Sequence, residues 1–247
     1  MIYVMSDIHG CYEKYQKMLK KISFGKNDLL YILGDVVDRG TEGMKVVLDI
    51  ADRENVILLR GNHDHQAVIL LSNLYRLEEK NCPKELMEVY KGWILDGGDK
   101  TLLEFLKLSE DEREKVLLTL SKTEFFKEID LNGKRYLLAH TVPEQERLED
   151  YPNWELYDYI MGEPDYEKVY FEDKYIVTGH TPTGLIEKKS NGKIWMKNNH
   201  IAIDCGAAFG NNLGCLCLDT LEEFYCSYKG DNNTGIFPKK HKKNCIK

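Results

Sequence analysis

Short apolar, β-branched-rich runs alternate with segments of helical periodicity along the first third of the chain. Ile2–Met5, Leu29–Leu33 and Val56–Leu59 are too short for core helices and end near glycine or polar turns, so they read as strands. Between them, Tyr12–Ile22 carries apolar residues at Tyr12, Tyr15, Met18, Leu19 and Ile22, the spacing of one helix face. Met44–Ala51 and Gln66–Leu77 read as further helices. This βαβαβα order predicts a mainly parallel sheet with helices packed on it. From about 74 to 120 the pattern is helical and charge-rich, broken at Asn81-Cys82-Pro83 and Asp96-Gly97-Gly98-Asp99. It reads as a helical insertion within one domain, covering one side of the rim formed by the strand ends.

Strand signals return in Phe125–Leu131 and Arg135–Ala139, separated by the hairpin dipeptide Asn132-Gly133. Residues Tyr151 to Tyr175 are aromatic, acidic and read as irregular. Tyr175–Thr178, Ile194–Met196, Ile201–Asp204, Cys215–Leu218 and Glu223–Tyr228 follow as strands, with hairpins expected at Asn191-Gly192 and Asp219-Thr220. The second half therefore predicts a second, more antiparallel sheet. The whole chain, 1–247, reads as a single α/β domain without repeats or low-complexity linkers.

Composition narrows the class. Hydrophobic residues make up 43% and charged residues 30% of the 247, as in ordinary globular proteins. No apolar run is long enough to span a bilayer and no basic-then-apolar leader begins the chain, so the expectation is a cytoplasmic protein with no membrane partner. A net charge of −7 argues against a duplex nucleic-acid partner, although bound cations would permit an anionic substrate. The cluster Lys239-Lys240-His241-Lys242-Lys243 reads as a solvated tail. Seven cysteines without a Cys-x-x-Cys spacing point to buried reduced thiols.

Chemistry collects where the strands end: Ser6-Asp7-Ile8-His9-Gly10, Gly34-Asp35-Val36-Val37-Asp38-Arg39-Gly40, Gly61-Asn62-His63-Asp64, Ala139-His140-Thr141 and Gly179-His180-Thr181-Pro182. Each is ambiguous alone. Asp7 and His9 would share one side of an extended backbone, which suits two ligands on one cation, but such a pair is as often a structural turn. Asp35, Asp38 and Arg39 between glycines are more specific, against the plainer alternative of a loop ion pair. Gly61-Asn62-His63-Asp64 adds an oxygen ligand and an imidazole, or else a turn with a helix cap. His140 and His180 are individually weak. In combination, four of the seven histidines and the strand-end Asp7, Asp35 and Asn62 form the mixed O/N donor set of a multinuclear hard-metal site.

With these motifs in this order, the chain resembles the phosphoprotein phosphatases of the calcineurin-like metallophosphoesterases, in their bacterial serine/threonine phosphatase-like branch. The likeness runs from Asp7 to about Gly206, and Asp64 in Gly-Asn-His-Asp matches the bacterial form. The resemblance implies an α/β/β/α sandwich with two mixed sheets flanked by helices and the helical insertion after the third motif. It also implies a dinuclear centre. Asp7 and His9 would hold one metal, Asp35 would bridge both, and Asn62, His140 and His180 would complete the second. A metal-bridging hydroxide would attack phosphorus in line. His63 would protonate the leaving oxygen, Asp38 would orient it and Arg39 would grip phosphoryl oxygens. Manganese, or iron with manganese, is the expected pair, and zinc suits the same donors.

Three departures from the family are visible. Thr141-Val142 follow His140 where relatives carry small residues, which would narrow the pocket. The second phosphate-binding arginine has no counterpart: only Arg147 lies between the late histidines, Glu163 stands near the plausible position, and Lys168 and Lys174 are the substitutes on offer. The third expected departure is the lack of the long C-terminal extension of regulated eukaryotic members. Trp93, Trp154, Trp195 and Cys205 read as structural, the tyrosines from Tyr151 to Tyr170 as packing with one of them open to line the pocket, His65 and His200 as exposed or structural, and Asp64 as an aid to its loop. The functional expectation is a phosphomonoesterase of the serine/threonine protein phosphatase type. Its rivals are a symmetrical dinucleoside polyphosphate hydrolase, acting on diadenosine tetraphosphate, and an inactive scaffold. The partners expected are thus a phosphorylated protein or a nucleotide. The sequence sets neither the oligomeric state nor the metals loaded.

Overall fold

The computed structural model describes residues 1–74, 83–151 and 153–227. Two five-stranded sheets lie face to face with helices on both outer faces. The first sheet has the order β10-β9-β1-β2-β3, with β1 (Ile2–Met5), β2 (Leu29–Ile32) and β3 (Val56–Leu58) parallel. α1 (Tyr12–Lys21) and α2 (Gly43–Ala51) make the crossovers expected between them. The second sheet has the order β4-β5-β6-β8-β7. Its centre, β5 (Lys134–Ala139), β6 (Lys174–Thr178) and β8 (His200–Ala202), is also parallel. β4 (Phe126–Leu131) and β7 (Trp195–Lys197) are its antiparallel edges.

Strand alternation assigns the three layers of core. Val4, Tyr31, Leu138 and Val177 point between the sheets, where they meet Ile201, Ile203 and Leu216. Their neighbours Tyr3, Met5, Leu30 and Ile32 face α1, α2 and the helical segment. Leu137, Ala139 and Ile176 face Trp154, Tyr159 and Ile160, the last two on α7 (Leu156–Met161). Period-two side-chain direction thus buries both faces of both sheets.

The chain's second half does not form one antiparallel sheet. β9 (Leu213–Cys217) and β10 (Glu223–Cys226) leave the second sheet and pair antiparallel with β1 and each other. Cys215 faces the helices and Leu216 the other sheet, so both strand faces need apolar residues. The β7–β8 hairpin turns at Asn198-Asn199, both left-handed, rather than at Asn191-Gly192. Within 151–175, expected to be irregular, α7 forms, and a 3₁₀ turn (Gln145–Asp150) precedes it.

α3 (Asn62–Ser72) begins four residues earlier than the periodicity indicates, because Gly61 caps it and the Asp64 carboxylate accepts the Gly61 N–H. The segment after α3 contains α4 (Lys84–Trp93), a π-helical turn (Ile94–Gly98), α5 (Asp99–Phe105) and α6 (Glu110–Ser121). The break read at Asp96-Gly97-Gly98-Asp99 is a kink at Gly97, whose φ is 102°. The break at 81–82, the residue Tyr228 and the basic cluster at 239–243 lie outside the described residues. Among the described residues, Cys205, Cys215, Cys217 and Cys226 are buried free thiols and Cys11 is buried, and no helix is long and apolar enough to cross a membrane.

Candidate metal and phosphate site

Five parallel strands release the site-bearing loops at one rim of the sandwich, the C-terminal ends where open α/β sheets bind ligands. The loops are tied to one another by main chain. Asp7 N donates to Gly34 O, His9 N to Asp35 O and Gly10 N to Val36 O, at 2.9–3.1 Å. This close pairing explains the glycines better than turn geometry alone. A Cβ at Gly61 would lie 2.2 Å from Asp35 Oδ1, and one at Gly179 2.0 Å from Ser6 Oγ.

Among the described residues, eleven non-glycine residues have left-handed φ. Six of them are Asp7, His9, Asp35, Asp38, Arg39 and His180. Such backbone costs about 1–2 kcal/mol per residue and clusters at functional sites. It also corrects one expectation. Asp7 and His9 do approach each other, with Nε2 3.9 Å from Oδ1, but through left-handed turns beyond β1 rather than by strand alternation.

Asp35 is the centre. Its Oδ2 lies 3.6 Å from His9 Nε2 and 3.4 Å from His140 Nε2. Two groups of potential ligand atoms, each within 4.8 Å, share it: His9, Asp35 and His63, and Asp35, His140 and His180. Asn62 Oδ1 completes the second group at 3.0 Å from both His140 Nε2 and His180 Nδ1. The tautomers suit ligation. His9 Nδ1 donates to Val37 O and His140 Nδ1 to Leu33 O, which turns both Nε2 atoms inward. His140 Nε2, His180 Nδ1 and Asn62 Oδ1 then lie within 3.1 Å of one another, the convergence of ligand atoms that one bound cation would require. Asp7 keeps its buried Oδ1 without a hydrogen-bond partner among the described residues. The residues present therefore fit two hard or borderline cations sharing Asp35.

The electrostatics have the same origin. Burial opposes the Asp35 carboxylate, yet the His140 and His63 imidazoles hold it well below the usual carboxylate range. Burial lowers His140, but the Asp35 charge and hydrogen bond outweigh it and push the imidazole up to about 9. His9 goes well down, through burial and the Arg39 guanidinium. Asp7 goes well up, through burial and Asp204.

Beside this cage stands a second arrangement. His63 Nδ1 lies 2.7 Å from Asp38 Oδ2. Arg39 reaches His9 Nε2 and His63 Nε2 with its two terminal nitrogens, at 2.5 and 2.8 Å, while its guanidinium rests over Phe209. All nine residues singled out from the motifs thus converge at one rim.

Asp64 holds its loop as the sequence suggested, whereas the other neighbours were not legible as functional. Asp64 accepts the N–H groups of Asp35, Val36 and Gly61 and so fixes the second and third loops together. Trp93 donates to Asp38 Oδ2, and Thr101 Oγ1 accepts the Asp38 N–H. Asp96 lies 3.4 Å from Arg39 and 3.7 Å from His63 Nε2. Only the Asp96-Gly97-Gly98 irregularity offered a signal, since nothing local links Trp93 to a residue 55 positions away.

The departures resolve differently. Thr141 and Val142 are buried away from the rim: Thr141 Oγ1 donates to Gly162 O and Val142 packs in the α7 layer, so neither narrows the site. Lys174 starts β6, at the opposite end from His180, and pairs with Glu128 between the Tyr151 and Phe171 rings. Lys168 pairs with Asp165, in a stretch joined to the distant β7–β8 turn through Tyr166–Asn198 and Glu167–Lys197. Arg147 is engaged by Asp158 and Asp150. None of these three replaces the second arginine.

The sequence profile of the calcineurin-like phosphoesterases matches residues 1–208. The chain belongs to that family. The symmetrical bis(5'-nucleosyl)-tetraphosphatase of Wigglesworthia glossinidia brevipalpis is 32% identical over 123 residues, 47% of this chain and 42% of that one. This chain thus spans less than half the length of that relative. The asymmetrical bis(5'-nucleosyl)-tetraphosphatase PrpE of Bacillus subtilis is 27% identical over 238 residues, covering 85% and 87% of the two chains. The family fold is equally plain in solved structures. One provisionally named a diadenosine tetraphosphatase superposes with a TM-score of 0.64 over 92% of both chains at 17% identity. A serine/threonine phosphatase from Saccharomyces cerevisiae gives 0.55 over 87% of this calcineurin-like chain and 71% of its own, at 16% identity.

Proposed function

We propose that the protein is a metal-dependent phosphoester hydrolase. The observation that carries this is the cage sharing Asp35 directly beside the His63–Asp38 pair: ligands for two cations and a proton donor face one volume. Asp7, His9 and Asp35 would hold one cation, and Asp35, Asn62, His140 and His180 the other. When bound, two such cations polarise the phosphoryl oxygens and activate water. The chain's own residues do the rest. Arg39 carries a planar fork that grips phosphoryl oxygens two at a time. Its present hold on His63 Nε2 means that an arriving phosphate competes for the fork and frees that nitrogen. His63, held at Nδ1 by Asp38, would then take a proton from water at the freed Nε2 and pass it to the leaving oxygen.

Two substrate classes follow from this chemistry. The acid pair suits phosphomonoesters, whose alkoxide leaving groups need a proton. Dinucleoside polyphosphates are favoured by the likeness to the Bacillus subtilis asymmetrical enzyme along 85% of the chain. A test supplies manganese, then zinc, to purified protein and offers phenyl phosphate, a phosphoseryl peptide and diadenosine tetraphosphate. Metal-dependent release of phosphate, ADP, or ATP with AMP is expected, and Asp35→Ala should lose it. No turnover of any substrate by metal-loaded wild type, or full turnover by Asp35→Ala, refutes the proposal.

A further inference from the structure

Asp38 carries an unequal load. Its Oδ2 accepts both His63 Nδ1 at 2.7 Å and Trp93 Nε1 at 2.9 Å, while its buried Oδ1 has no hydrogen-bond partner among the described residues. Asp38 is fully buried and its φ is left-handed, at 66°. A carboxylate held through one oxygen by one imidazole would be free to turn about its last side-chain bond. Turning would carry the imidazole with it.

The indole prevents this because it is itself immobile. Trp93 is fully buried and packs edge-on against Tyr90. A Cβ at Gly98 would fall 2.3 Å from its ring atoms, so this glycine lets the backbone close over the indole. The same turn then accepts the Arg39 N–H on Gly97 O, and Thr101 accepts the Asp38 N–H one turn later. Trp93, Gly97 and Thr101 thus brace Asp38 and Arg39 from the helical segment, outside the strand-end loops. A merely structural tryptophan would need no acceptor shared with the proton donor's partner.

We propose that Trp93 is a positioning residue for His63: its indole N–H fixes Asp38 Oδ2, and so aims His63 Nε2 at the leaving oxygen. This rests on the hydrolase reading above and extends it to a residue that touches no substrate. Such a residue acts on proton delivery alone, so its loss is felt most where the leaving group needs the proton.

The experiment compares metal-loaded wild type, Trp93→Phe and Tyr90→Phe on p-nitrophenyl phosphate and phenyl phosphate. Trp93→Phe keeps a ring against Gly98 but removes the N–H. Its kcat should fall about tenfold further on phenyl phosphate than on p-nitrophenyl phosphate, a fraction of the worth of general-acid catalysis. Tyr90→Phe, a packing control in the same cluster, should leave that ratio unchanged. In the Asp38→Asn background, Trp93→Phe should add nothing to the ratio. Equal losses on both substrates, or none, overturn the proposal, and melting curves show whether each variant is folded.

A measurement without turnover separates this idea from the hydrolase reading. In 1H–15N spectra, Asp38→Ala should shift the Trp93 indole cross-peak, identified by its disappearance in Trp93→Phe. The Trp154 peak, whose indole donates to Arg147 O, should stay put. An unmoved Trp93 peak overturns the contact itself. A moved peak in a wild type that turns over neither the aryl phosphates nor the phosphoseryl peptide and diadenosine tetraphosphate overturns the hydrolase reading, and with it the positioning role, but leaves the contact standing.

Discussion

The first sheet delivers Asp7, His9, Asp35, Asp38, Arg39, Asn62 and His63 from three adjacent loops, whereas the second delivers only His140 and His180. The two contributions are also held differently. The first-sheet loops are locked to each other by main-chain bonds and left-handed residues. The second-sheet histidines are placed by reaching across: His140 Nδ1 to Leu33 O, and His180 N to Asp7 Oδ2. The first sheet is therefore the frame of the site, and the second is registered against it. A lesion in the frame should disturb everything, and one on the other side should disturb one half.

The sharpest test sets Asp35→Ala against His180→Ala. The first should lower turnover by roughly a thousandfold or more, given the several kcal/mol that metal coordination contributes, and reduce both equivalents of bound metal. The second should leave close to one equivalent, read by metal analysis after manganese loading. Identical stoichiometry in the two variants would break the asymmetry.

A smaller effect is expected from Asp64→Ala, which leaves three N–H groups of the frame without their acceptor. Turnover should fall by about 10- to 100-fold, the usual cost of removing an outer hydrogen-bond partner of a metal site. Stability should fall as well, by about 1–3 kcal/mol for each N–H left buried and unpaired. Wild-type activity in this variant would show that the loops hold their shape without it.

The smallest effect belongs to the second sheet alone. His200, on β8, is walled in by Tyr166 and Trp195, with Nε2 against Thr178 Oγ1. Burial drives its pKa down to about 3. The unfolded chain would bind a proton at this residue below about pH 6.5 while the folded chain stays neutral. Stability should therefore decline as pH falls from about 6.5 towards 3, by about 1.4 kcal/mol per pH unit from this group. His200→Gln should flatten that slope in denaturant titrations between pH 6 and 4, with the loss above pH 7 confined to packing.

The frame was the legible part because its residues are close in sequence and its motifs carry charge between glycines. The parallel βαβ start could be read from periodicity, since its strands are buried on both faces and its crossovers are amphipathic. Three features could not be read. The return of β9 and β10 to the first sheet is a choice between two edges that alternation alone leaves equal. The start of α3 at Asn62 depends on an Asp64 carboxylate folding back on the Gly61 N–H. The role of Trp93 requires a kink at Gly97 to present an indole to a loop far away in sequence. Local pattern reports which face is apolar, and long-range polar contacts leave no such trace.

The backbone at Asp7, His9, Asp35, Asp38, Arg39 and His180 sits where glycine is at ease and other residues are not. Selection for heat tolerance alone would therefore reward glycine at several of these positions, subject to the room each one has. Every such gain would erase a ligand, the acid's partner or the phosphate fork. Directed evolution of a hardier version should accordingly keep a turnover screen running from the first round, or it will converge on a sturdier but inert protein.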